Sequence, residues 1–422
     1  MHAHGTGARG GEDARACPGG CEFRPFSEAY DRDPHPTHAH LREHHPVYFW
    51  EELDAWVLSR HADVDWLLKR APVGTSDVHW EHAEAPRDGA VASPWDRLRR
   101  QTITFQEGAA HARMRSSVSR TFTPAAAARL APAIAEAVDR ALARIGTGPG
   151  SFDLVEAMTS RVPIQVLGRL LGVPAGMEAE FCHHAARLQN VINPLGDAAA
   201  RADADASATA VRAMIGELIR HAGRRPRDAD LLSALLHLDA GEGLGSEELV
   251  GLLTSILMAG AETTGGMVNH AIAALLAHPE ELARLRAEPA RLGAAVDELA
   301  RFEFPTKFVT RYPLEPIEVA GVRIGRGELV FGALGAANRD PRVFRDPDRL
   351  DFSRAPGPVL SFGAGPHFCL GAALARAEAR EMIGRLVARF PGLAVAEPPR
   401  FSPHFSIRRM ASFRLERGAQ TR

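Results

Sequence analysis

The longest apolar run in the chain, LVGLLTSILMAGA over residues 249–261, stops at Glu262. A membrane-spanning helix needs roughly 20 apolar residues, so this run reads instead as the buried part of a helix. The helix is expected to extend from about Ser246, its N-cap in GSEELVGLL, to Ala277. A glutamate in the middle of a buried helix costs energy unless something satisfies it, which singles out Glu262 and its neighbour Thr263. Just before them, Ala259 and Gly260 carry little side-chain bulk. From His111 to about Ala287 the apolar positions recur with a helical period almost throughout. TPAAAARLAPAIAEAVDRALARIG opens on a Thr123-Pro124 cap signal, and NPLGD over 193–197 separates two long helical runs.

The two ends are patterned differently. PHPTHAHLREHHP predicts a short helix closed by Pro46, and VYFWEELDAWVLS predicts two short strands turning near Leu53 and Asp54. Residues 74–106 are aromatic, proline-bearing and without a period, which predicts a long loop. Beyond Arg311, runs such as IEVAGVRIGRGELVF predict small strands, and a long helix returns only at 370–390. No repeat and no linker divides this part. The pattern predicts one large, mainly α domain with a minor β part over residues 25–422, after a disordered tail over 1–24.

Composition narrows the class. A chain of 422 residues, 45% hydrophobic and with a formal charge of −2, has material for a large core and no polycation signature for nucleic acid. No leader or membrane anchor is readable near the start, so a cytoplasmic monomer is expected. Lysine occurs only at Lys69 and Lys307, an arginine bias that reads as codon usage. Cys17, Cys21, Cys182 and Cys369 are too scattered for a disulfide framework. The first two lie in a Gly-, Arg- and His-rich head whose loose cysteine spacing favours a tail over a metal site.

Cys369 is the unusual one, set in SFGAGPHFCLGAALARAE with Gly363, Gly365 and Gly371 within six residues. A buried inert thiol does not account for those glycines. A zinc site lacks a second cysteine nearby. A cysteine nucleophile needs a base, for which His367 is the local candidate. A thiolate ligand to haem iron accounts for the glycines, because a flat macrocycle needs close approach to the backbone and the sulfur needs amide donors.

The loop FGAGPHFCLG resembles the cysteine loop of the cytochrome P-450 family, F-G-x-G-x-H-x-C-x-G, at every fixed position from Phe362 to Gly371. AGAETT over 259–264 resembles that family's oxygen-activation segment, ELAR over 298–301 its E-x-x-R, and ANRDPRVFRDPDRLD over 337–351 its meander. The resemblance implies a single-domain P-450 fold, with haem b held between the long central helix and the cysteine-loop helix and Cys369 as axial ligand. His111 and Arg115, one helical turn apart in HARMR, resemble the propionate-binding segment, and Arg311 and His367 match two further propionate positions. Phe362, Gly363, Gly371 and Ala259 are implied to border the cofactor. Thr263 is implied to hold the hydrogen bonds of activated oxygen and Glu262 to feed it protons. Glu298 and Arg301 are implied to join Arg349 in a buried structural network.

The implied activity is insertion of one oxygen atom from O2 into a lipophilic small molecule, by hydroxylation or epoxidation in natural-product tailoring. Electrons are expected from NAD(P)H through a separate ferredoxin or flavodoxin, docking near Arg113, Arg376 and Arg380. A peroxide-driven enzyme and a non-catalytic haem sensor or carrier are the alternatives, and the intact Glu262-Thr263 pair speaks against both. By the same resemblance the substrate pocket draws on the 74–106 loop, the 193–196 break, Met258, Ala259, Lys307, Phe308, Val309 and Ser406. Lys307 is read either as an anchor for a substrate carboxylate or as a solvated turn lysine.

Overall fold

The computed structural model describes residues 23–82, 92–148, 150–174, 176–189, 198–226, 230–238 and 243–418. The cysteines at 17 and 21 and the break at 193–197 lie outside these. Helix α1 (His35–His44) ends before Pro46, and β1 (Val47–Trp50) turns through Asp54, in the left-handed region at φ 47°, into β2 (Ala55–Leu58). The short strand β3 (Val73–Gly74) follows. The expected long loop holds a helix, α2 (Pro94–Arg100), because Ser93 caps the Asp96 N–H and Pro94 fills the first turn. Phe23 is packed edge-on to Tyr30 and Trp50, inside the span expected as a tail.

Helix α3 (Gly108–Ser119) is followed by α4 (Ala131–Ile145), which packs on α5 (Val162–Leu171), and α5 packs along α6 (Ser246–Ala277), the long central helix. Its N-cap is Gly245 rather than Ser246, and the Glu248 carboxylate accepts from the Gly245 N–H at 2.9 Å. Helix α7 (Leu292–Phe302) leads into β4 (Phe308–Pro313) and β5 (Leu329–Ala333), completing a five-stranded sheet in the order β1-β2-β5-β4-β3. Strand β5 runs parallel to β2 and antiparallel to β4, and is buried along its whole length. The cysteine loop then opens α8 (Ala372–Arg389), which packs along α6 and α7 with its buried face of Leu374, Met382, Ile383 and Leu386. A final hairpin pairs β6 (Arg400–Ser402) with β7 (Arg409–Ser412). One large apolar core runs among the helices, and a smaller one lies on either side of the sheet. Among the described residues no helix is long and apolar enough to cross a membrane.

Candidate active site

The cysteine loop turns on Gly363 and Gly365, both left-handed at φ 69° and 68°. A Cβ at Gly365 would stand 2.1 Å from the Leu68 carbonyl oxygen, so only glycine fits. Gly371 has an ordinary φ of −84°, and a Cβ there would meet nothing within 4 Å. Two of the three glycines therefore shape the turn, and only the third opens space. The Cys369 N–H donates to the Phe362 carbonyl at 2.8 Å. Burial pushes the Cys369 thiol up, against the Gly371 N–H and the guanidinium groups of Arg115 and Arg376, which pull it down. A concavity of about 480 Å³ opens beside the sulfur, bordered by Arg115, Phe368, Arg376 and Arg380.

Around this loop the structure gathers four basic side chains from three places. His111 and Arg115 come from one face of α3, Arg311 from β4, and His367 from the short turn before Cys369. The His111 and His367 rings lie 4.1 Å apart. Burial, then His111, Arg311 and Arg115, hold His367 down at about 3. Burial and Arg115 likewise lower His111, and burial brings Arg311 down to about 10. Arg311 Nη1 donates to the carbonyl of its own neighbour, Thr310, at 2.7 Å. Among the described residues no carboxylate forms an ion pair with any of the four, and the buried His111 Nε2 has no hydrogen-bond partner. Glu107 is the nearest relief, yet it is engaged by the Thr75 and Ser76 N–H groups and by His79 at 2.7, 3.1 and 3.0 Å. Two guanidinium charges without a counter-ion, beside imidazoles that burial keeps neutral, oppose folding. The set fits a ligand bearing two carboxylates, and haem with its propionates meets that requirement beside a thiol.

On α6 the residues from Leu249 to Leu257 are buried and burial resumes at Thr264, yet Ala259 is exposed and Met258, Ala261, Glu262 and Thr263 are half-exposed. A mid-helix window of this kind faces an internal space. Thr263 Oγ1 donates to the Ala259 carbonyl at 2.6 Å. Gly260 does not contribute to that space: a Cβ there would meet Leu167 of α5 at 2.7 Å, so the glycine lets two helices pack. Both carboxylate oxygens of Glu262 meet the Arg409 guanidinium, Nη2 to Oε2 at 3.0 Å. No sequence pattern pointed to Arg409, which lies 147 residues away.

Several expected site residues are placed elsewhere. Lys307 is 2% exposed, pairs with Asp31 at 2.6 Å, and donates to the Pro25 and His404 carbonyls. It is neither a substrate anchor nor a solvated lysine; it ties the N-terminal segment to the C-terminal turn. Phe308 is buried between Phe23 and Phe331, at 6.0 and 5.4 Å between ring centres. Val309, on the opposite face of the strand, is half-buried beside Gly332 and Val64. Half-buried Ser406 accepts the Lys307 N–H at its carbonyl, at 2.8 Å. Arg113 makes a two-pronged ion pair with Glu248, and Arg376 pairs with Asp297 at 2.5 Å; Arg376, 4.2 Å above the Phe362 ring, and Arg380 border the concavity.

Glu298 and Arg301 are joined by two hydrogen bonds of 2.8 Å, both buried. Arg349 contributes only its carbonyl to this network, at 3.3 Å from Arg301 Nη2; the arginine that reaches Glu298 is Arg354, at 3.0 Å. The chain turns at 349 so that its backbone, not its guanidinium, faces inward.

Beside Arg409, Arg408 fixes the hairpin to the core through Glu303 at 2.6 Å and the Asp31 carbonyl at 2.9 Å. His270 on α6 donates to the Arg408 carbonyl at 3.0 Å. Burial, then Arg408, holds His270 down at about 4, although Glu303 opposes the shift. The unfolded chain takes this proton near 6.5, and the native protein resists it until about 4. Stability present above pH 6.5 is therefore lost as pH falls through that window. Thermal melts at pH 7, 5.5 and 4.5 should show the midpoint falling, and His270→Asn should flatten the fall. A variant with the unaltered slope would exclude His270 as the group responsible.

A glycine-turned cysteine loop ringed by basic side chains without carboxylate ion pairs, together with a central helix whose mid-section is exposed, fits a haem-thiolate protein. A model of the family "Cytochrome P450" matches residues 187–406, and the chain belongs to this family. The epothilone C/D epoxidase of Sorangium cellulosum is 32% identical over 93% of this chain and 94% of its own length. The vitamin D(3) 25-hydroxylase of Pseudonocardia autotrophica is 35% identical over 88% of this chain and 90% of its own. The crystal structure of epothilone D-bound P450epoK superposes with a TM-score of 0.87 at 30% identity, covering 94% of this chain and 100% of that one. The protein is an oxidoreductase of the monooxygenase type, and the family implies a haem-thiolate cofactor.

Proposed function

We propose that this chain is a haem b monooxygenase that binds iron through Cys369 and oxygenates a lipophilic natural-product-like molecule. Electrons come from NAD(P)H through a separate ferredoxin or flavodoxin. The observation that carries the reading is a set of basic side chains without carboxylate ion pairs, His111, Arg115, Arg311 and His367, around the cysteine loop, with the buried His111 Nε2 lacking any partner. Residues 25–422 act as one domain in this reading.

The haem, when bound, supplies oxygen binding and activation. Arg115 and Arg311 would hold its propionates by charge-assisted bonds, with His111 and His367 donating ring N–H groups to them. The Gly371 N–H hydrogen-bonds the sulfur and moderates its basicity. Ala259 would leave space beside the haem, and Met258 would border the substrate. Thr263 holds its hydroxyl proton at the edge of that space, and Glu262 passes protons to it from solvent. Arg380, beside an Arg376 that Asp297 already pairs, presents positive charge near Phe368 to an acidic electron donor.

The test is an absorption spectrum of the reduced protein with carbon monoxide, followed by titration with epothilone D, vitamin D3 and testosterone. A Soret band shifted far to the red and NAD(P)H-driven oxygenation with a ferredoxin pair support the reading. A protein that stays colourless after haem is supplied would end it.

A further inference from the structure

The acid on α6 is not free. Glu262 gives both carboxylate oxygens to Arg409, the first residue of β7, and the pair is about three-quarters buried, with side-chain exposures of 23% and 22%. The strand that carries Arg409 cannot drift. Arg408, one residue before it, is 5% exposed and held by Glu303, by the Asp31 carbonyl and by the Arg32 carbonyl at 3.3 Å. Its own carbonyl accepts from His270, two turns further along the helix that carries Glu262. Two consecutive arginines thus divide the work: the first pins the hairpin to the core, and the second reaches across to the exposed window of α6.

We propose that Arg409 is the positioning residue for Glu262, holding its carboxylate in one orientation at the edge of the Thr263 window so that it takes up and releases protons in one place. This rests on the proton-relay role given above to Glu262. A proton taken from bulk water onto a Glu262 oxygen and released toward Thr263 leaves the carboxylate unchanged, so no oxidant or further reactant enters the step. Between uptake and release, the Arg409 cation draws the carboxylate back to the same orientation. A carboxylate without that partner would sample other rotamers, and each excursion interrupts the relay.

The experiment compares wild type, Glu262→Gln, Arg409→Gln, Arg409→Lys and the Glu262→Gln/Arg409→Gln double variant as substrate-free holoenzymes fed by a ferredoxin and its reductase. Arg409→Gln is expected to slow NAD(P)H consumption on the order of tenfold and to raise its solvent deuterium isotope effect, as Glu262→Gln does. The double variant should be no slower than Glu262→Gln alone, and Arg409→Lys should recover part of the rate. A readout without turnover is the antisymmetric carboxylate stretch of Glu262, isolated as the infrared difference between wild type and Glu262→Gln, which should move in Arg409→Gln. If Glu262→Gln slows consumption while Arg409→Gln consumes at the wild-type rate, or if the two losses multiply, Arg409 does not position the acid. If Glu262→Gln itself runs at the wild-type rate, the relay role of Glu262 fails and this proposal with it.

Discussion

Cys369→Ser is expected to erase the far-red-shifted Soret band of the reduced carbon monoxide complex and to lower turnover by at least about a hundredfold. The loop presents the side chain in one orientation, because the Cys369 N–H is tied to the Phe362 carbonyl at 2.8 Å and Gly363 and Gly365 fix the turn. What changes is therefore the ligand atom. Burial already pushes the Cys369 thiol up, and the Gly371 N–H, Arg115 and Arg376 only partly offset it. The site thus needs iron to keep its sulfur deprotonated, and a hydroxyl, far less acidic than a thiol, gives up its proton less readily. Serine is also the smaller group, so no clash arises and the fold is retained. Far-ultraviolet circular dichroism should match wild type while the visible spectrum does not. A serine variant that kept the red-shifted band and its turnover would remove Cys369 from the metal.

How much of this was legible depended on how local each signal was. The cysteine loop, the i, i+4 pair of His111 and Arg115 and the Glu262-Thr263 step are short-range patterns, and the structure puts each on the element expected for it. Features that depend on where distant backbone turns were not legible. Arg349 and Arg354 are five residues apart in one meander, and only the fold decides which turns its guanidinium toward Glu298. Lys307 read as a pocket residue because its neighbours in sequence did, yet Asp31, 276 positions earlier, comes within 2.6 Å of it and removes it from solvent. Gly260 looked like room for a small ligand, and the room is filled by Leu167. In each case the residue type was right for the neighbourhood and the partner came from another part of the chain.

That dependence on distant backbone makes the second large effect. Glu298→Ala is expected to prevent haem-loaded protein from accumulating. Arg301, whose side chain is fully buried, gives Nε and Nη2 to Glu298 and spends its remaining donors on the carbonyls of Asn338, Pro347 and Arg349, at 3.0, 2.9 and 3.3 Å. Glu298 in turn accepts from Arg354 at 3.0 Å and from the Asp351 N–H at 3.2 Å. Removing the carboxylate leaves a buried guanidinium without its counter-charge, which typically costs about 3–5 kcal/mol. A folded chain has only about 5–15 kcal/mol in total. The damage does not stay at the meander. Asn338 donates to Ser361 at 2.7 Å and accepts from the Leu360 N–H at 2.7 Å, and the next residue, Phe362, supplies the carbonyl that holds the Cys369 N–H. Loosening residues 338–351 therefore reaches the sulfur within two hydrogen bonds. Glu298→Gln, which keeps the shape and drops the charge, should fold but release haem to apomyoglobin faster than wild type. Arg301→Lys should do worse than Glu298→Gln, since one ammonium cannot serve a carboxylate and three carbonyls at once. Haem transfer rates and thermal melts of the three variants check this order, and wild-type haem retention in Glu298→Ala would show that the network carries neither the fold nor the cofactor.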